Sequence, residues 1–116
     1  MTDAQAIDPE DRKIITLARS ARARNAVPEG AAVRDETGRT YVASTVTLPS
    51  LELTALQTAV AMAVASGAQS LEAAAVVSDA GALPGGDLAA VADLGGTTPV
   101  LLAAPDGTLR ATLTAG

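Results

Sequence analysis

A chain of 116 residues, 48% of them hydrophobic, with a net charge of −5, suits one compact domain and is a globular sequence rather than a disordered one. It has no Cys, His, Trp or Phe, and Tyr41 is its single aromatic residue, so disulfides are excluded and Ala, Val and Leu must fill the interior. Between Thr40 and Leu109 there is no Lys or Arg to set against six acids, which makes nucleic-acid binding by that segment an unfavourable reading.

Residues 1–8 are polar and read as a flexible N-terminus, with residues 9–116 forming a single domain. The first residues are acidic and carry no apolar h-region, so no secretory signal is expected. No run of about 18 apolar residues is free of polar interruption, so no membrane span is expected, and the cytoplasm is the default location. Asp8-Pro9-Glu10-Asp11 is a helix start, with Asp8 as N-cap and Pro9 at the first helical position. The helix runs over 9–25, burying Ile14, Leu17, Ala18 and Ala21. Its other side carries five of the eight cations, Arg12, Lys13, Arg19, Arg22 and Arg24, a possible face for a protein partner.

Ala31 to Asp35 and Arg39 to Thr47 bracket Glu36-Thr37-Gly38 and predict an antiparallel hairpin. Pro49-Ser50 reads as a turn and N-cap for an almost wholly apolar helix from Leu51 to Ala65, stopped by Gly67. The apolar run Leu71 to Ser78 is a buried strand. Asp87 is expected to cap a short helix over 88–94 that ends at Gly95-Gly96. Val100 to Ala104 and Thr108 to Thr114 are strands joined at Pro105-Asp106-Gly107. The order α-β-β-α-β-α-β-β predicts an α/β fold with helices on both faces of a sheet.

That order resembles the cytidine deaminase superfamily, and local sequence carries the likeness over roughly residues 14–113. Glu29-Gly30-Ala31-Ala32-Val33 with Thr37-Gly38-Arg39 is similar to the family's first hairpin. Ala59 to Gly67 is similar to the remainder of its zinc-ligand helix. Pro84-Gly85-Gly86-Asp87-Leu88 resembles its second zinc motif, Pro-Cys-Gly-x-Cys. The resemblance implies a three-layer α-β-α fold on a mixed five-stranded sheet, and a homo-oligomer, dimer or tetramer.

Enzymes of that family hold Zn²⁺ through three thiolate or imidazole ligands, and a nearby Glu moves the proton. Aligned on Gly67, the first ligand position falls on Thr54, the Glu position on Leu56, and the two cysteine positions on Gly85 and Leu88. The ribose-binding positions fall near Thr45 and Thr47, and Tyr41 is the one side chain able to stack on a base. A chain without Cys or His cannot build that zinc site, since hydroxyl and carboxylate oxygens grip Zn²⁺ poorly alone. No cofactor is therefore expected. The leading expectation is a catalytically inactive family member acting through protein contacts; a nucleoside-binding module on the same fold is the alternative. An active cytidine deaminase, a hydrolase of C–N bonds, is disfavoured because Cys and His are absent. The neighbouring acids Asp35-Glu36 are expected to be too exposed for acid–base chemistry.

Overall fold

The computed structural model describes residues 7–115. Of the segment expected to be flexible, residues 1–6 lie outside the described residues. Ile7 packs, partly buried, against the core, and the Asp8 carboxylate accepts a hydrogen bond from the Glu10 N–H at 2.8 Å. The first helix, α1 (Pro9–Asn25), follows directly. It ends at Ala26 in the left-handed conformation (φ 53°), whose N–H bonds back to the Arg22 carbonyl. Ile14, Ile15, Ala18 and Ala21 are its buried residues, so Ile15 joins the expected stripe and Leu17 is only partly covered.

Five strands form the main sheet: β1 (Glu29–Asp35), β2 (Thr40–Ser44), β5 (Leu71–Ser78), β6 (Pro99–Ala103) and β7 (Leu109–Thr114). Their spatial order is β2-β1-β5-β6-β7. Only the β5–β6 pair is parallel and the other three are antiparallel, which makes the sheet mixed. Helix α1 covers one face. The other face is covered by α2 (Ala55–Ala65) and α3 (Gly85–Ala92), giving the expected three layers. Among the described residues no helix is long and apolar enough to cross a membrane.

Small side chains set the spacing of these layers. Among the described residues 26 hydrophobic side chains are buried, and 14 of them are alanine. At Gly30 the backbones of β1 and α1 meet so closely that a Cβ would collide with the Ala18 carbonyl and lie 2.8 Å from the Arg22 nitrogen. Glycine is therefore required where the helix crosses the strand. Arginines then pin α1 to its surroundings: Arg12 donates to the Gly107 carbonyl (2.9 Å) and Arg19 to the Pro105 carbonyl (3.2 Å), both on the β6–β7 turn.

Three sequence expectations need correction. The strand expected over 39–47 ends at Ser44, and a second, separate hairpin follows: β3 (Val46–Leu48) paired antiparallel with β4 (Leu51–Leu53) across Pro49-Ser50. Leu51, Glu52 and Leu53 are thus strand, and Ser50 is a turn residue rather than a helix cap. Helix α2 begins at Ala55 with Thr54 as its N-cap: the Thr54 hydroxyl accepts from the Gln57 N–H (3.1 Å) and the Gln57 side chain accepts from the Thr54 N–H (3.0 Å). This reciprocal box fixes the start more firmly than Ser50 could. In the same way α3 starts at Gly85 behind Pro84, so Asp87 lies inside the first turn instead of capping it.

Candidate functional site

The starts of β1, α2 and α3 converge at one end of the sheet. A cleft of about 260 Å³ opens there, between the β3–β4 hairpin and the first turn of α2. Thr45, Thr47 and Glu52 line it from the hairpin side, Thr54 and Gln57 from the helix, and Pro28 and Glu29 from the entry to β1. Three of the expected positions, Thr45, Thr47 and Thr54, are therefore brought together.

Others are not. Tyr41 sits toward the opposite end of β2, paired with Val33, and its hydroxyl donates to Asp35 at 2.9 Å. It belongs to the β1–β2 turn and cannot stack on anything in the cleft. Leu56 is fully buried in the core and points away from solvent among residues such as Val91 and Leu102. Leu88 packs partly buried on the same core, and Gly85 borders open space. Neither lines the cleft. On α1 the cationic side is partly committed within the chain: besides Arg12 and Arg19, Arg22 donates to the Pro28 carbonyl (3.0 Å) and pairs with Asp79 (3.3 Å), and Lys13 pairs with Glu10 (3.4 Å). Arg24 is exposed at the end of that helix.

Sequence reasoning gave Asp87 a capping role and missed its burial at this corner, and it missed Glu29 there altogether. Asp87 has no exposed surface, yet it is charged by composition. Its Oδ1 accepts the Thr54 hydroxyl at 2.7 Å, tying the first turn of α3 to the cap of α2, while its Oδ2 has no partner. Burial raises its pKa, and the Thr54 bond pulls it back. Glu29 shares this corner. Burial is the chief cause of its raised pKa, and the Asp87 charge adds to it, against the Ala55 N–H and the Ser78 hydroxyl. The signal for Asp87 was present as an acid three residues after Pro84 in an otherwise apolar helix. What hid Glu29 is that its neighbours come from three distant segments.

Asp35 is the counter-example. It was expected to be exposed but is buried by its own turn, accepting from the Thr37 N–H and hydroxyl, the Arg39 N–H and the Tyr41 hydroxyl. These donors, the Thr37 hydroxyl foremost, hold its pKa down at about 2. Such a carboxylate is a turn support with no chemistry to offer.

The chain matches the profile described as cytidine deaminase-like over residues 7–107. The chain belongs to the cytidine deaminase-like family. Among solved structures it is similar to a cytidine deaminase from Burkholderia pseudomallei, with 27% identity and a TM-score of 0.78, covering 90% of this chain and 91% of that one. A cytidine deaminase from Mycobacterium leprae shares the fold at 23% identity and a TM-score of 0.72, covering 93% and 95%. No curated protein matches the sequence.

The family implies a zinc ion, and the residues at this corner do not fit one. The donors nearest the starts of α2 and α3 are hydroxyls and carboxylates, with no sulfur or imidazole in the chain. Among the described residues no three of His, Cys, Asp and Glu are grouped so as to hold a metal ion.

Proposed function

We propose that this chain is a family member that does not deaminate, and that it works by binding. The reading rests on what Thr54 does at the position of the family's first zinc ligand. Its hydroxyl is fully employed, accepting from the Gln57 N–H and donating to Asp87, so it caps a helix and bridges to a second one. At the position of the proton-carrying Glu stands Leu56, sealed in the core and unable to exchange a proton with anything. The family's water-activating step has no counterpart among these groups.

A protein-contact role is supported by the apolar surface left uncovered. Leu48 and Leu51 flank the tip of the β3–β4 hairpin, and Met62 and Val64 stand on the outer side of α2. A two-stranded hairpin outside the main sheet is marginal by itself, and burial against another chain would secure it. The assembly we expect is a dimer or tetramer of this chain, in a cytoplasmic setting. A nucleoside in the cleft is the weaker reading. Thr45 and Thr47 do reach it, but no aromatic or arginine plane is among its lining residues.

Purified protein incubated with cytidine and deoxycytidine, with absorbance followed in the ultraviolet and metal content measured, tests the reading. The expected result is no conversion and no stoichiometric metal. Turnover to uridine would overturn it. Light scattering on the same sample should give a mass above that of one chain.

A further inference from the structure

We propose that α3, with the loop that leads into it, is a flap that opens as a unit while the sheet stays folded, and that the bond between Thr54 and Asp87 is its latch. Such a motion is independent of whether the chain deaminates.

The segment is fastened firmly at both ends and weakly between them. At its start, Arg110 donates to the carbonyls of Asp79 and Ala80 (both 3.1 Å), and Arg22 pairs with the Asp79 carboxylate (3.3 Å). At its far end, the buried Thr98 hydroxyl donates to the Leu71 carbonyl (2.9 Å), and the Thr98 carbonyl accepts from the Ala115 N–H (3.1 Å). Between these anchors, among the described residues, positions 81–94 make one hydrogen bond to the rest of the chain, the 2.7 Å bond from the Thr54 hydroxyl to Asp87. No ion pair among the described residues joins them to it.

The helix has little of its own to keep it in place. It is eight residues long, too short to persist alone, and its N-cap Pro84 supplies no side-chain bond. Only Asp87 and Val91 are buried along it, and it packs chiefly on α2. The latch is also under load. Asp87 has no exposed surface, its Oδ1 takes the Thr54 hydroxyl, and its Oδ2 has no partner. A buried carboxylate oxygen without a donor is costly, and opening returns it to water. Opening also lifts Val91 away from the cluster that it shares with Leu56 and Leu102. A segment with few buried apolar side chains, one costly tie and firm anchors on either side opens at a free energy below that of global unfolding.

The chain has no cysteine, so a single introduced thiol reports opening directly. In the full chain without denaturant, Val91→Cys should react with a thiol reagent at least about tenfold faster than Val76→Cys, which is equally buried in β5. Adding Asp87→Asn keeps an acceptor for Thr54 and removes the buried charge, so the rate at position 91 should fall about tenfold. Thr54→Val, with no hydroxyl to donate, should raise that rate at least about tenfold, whereas Thr54→Ser should leave it within about threefold. Hydrogen exchange of the unsubstituted chain reads the same motion with no variant to fold. The Ala89 to Asp93 amides should exchange ahead of the Ala74 to Val77 amides and with weaker urea dependence. Equal labelling at positions 91 and 76, a rate unmoved by Asp87→Asn, or one shared urea dependence for both sets of amides would each overturn the proposal.

Discussion

Strand β1 begins at one carboxylate and ends at another, and the two have opposite fates. Asp35, at its end, collects four donors from a tight turn and is held ionised far into acid. Glu29, at its beginning, faces a second acid, and burial works against its charge. Burial dominates at Glu29, whereas at Asp35 the supply of N–H and O–H groups outweighs it. A turn brings four donors to Asp35, whereas Glu29 draws on the Ala55 N–H and the Ser78 hydroxyl, too few to offset its burial and the Asp87 charge. The lesson is that an acid saturated by its own turn keeps its charge, and an acid closed in beside another acid keeps its proton to higher pH.

The most severe way to break this comparison is to disturb the frame that holds both ends. Gly30→Ala should push α1 off β1 and cost about 4 kcal/mol or more, because the obstacle is backbone that cannot rotate aside. Denaturant unfolding would measure it. Next comes Thr54→Val, which removes both the α2 cap and the one donor to Asp87. A loss of roughly 2–4 kcal/mol is expected, while Thr54→Ser should stay within about 1 kcal/mol of the parent.

The pH dependence of stability sharpens the contrast further, since the two ends should slope in opposite directions. Asp35 has its pKa lowered from 3.8 to about 2, so its contribution is present above pH 3.8 and fades as pH falls through about 2. Asp35→Asn should therefore be less stable than the parent at neutral pH, with the gap closing in strong acid. Glu29 and Asp87 have raised values, so the fold keeps their protons longer than the unfolded chain does. Their contribution is present below their ordinary values of 4.5 and 3.8 and is lost as pH climbs past the folded ones. Glu29→Gln and Asp87→Asn should accordingly raise the melting temperature at pH 7, and the gain should vanish toward pH 4. Equal slopes for all three acids would dissolve the distinction. Smallest of all is Arg19→Ala, which removes one exposed bond to the β6–β7 turn and should shift stability by no more than about 1 kcal/mol.

Much of the frame was legible because its signals are local. Asp8-Pro9 starts α1, Gly67 (φ 102°) follows the end of α2, and the apolar run at 71–78 is β5, as read from the residues alone. The β3–β4 hairpin escaped because Leu51-Glu52-Leu53 continues smoothly into an apolar helix, and composition does not change at the junction. Thr54 and Gln57, three apart, carried the only mark of the true start. The family resemblance located Thr45, Thr47 and Thr54 beside one cleft but also drew Tyr41 toward it, since a lone aromatic invites a role. Glu29 and Asp87 could not be paired from sequence at all. They are 58 positions apart, and nothing short of the folded sheet brings them to one corner.

The alanine-dominated interior carries a consequence for how this protein tolerates change. An alanine gives up no rotamer freedom on burial, but it also offers only a methyl group for cohesion. Trimming such a core removes little, because there is little to trim, and the damage comes from growth. A survey of single substitutions should find that adding carbon at positions such as Ala18, Ala32 or Ala74 harms the fold more often than removing it does at the scattered leucines and valines. Drift in this lineage is then confined from above, by space, more tightly than from below, by lost contacts.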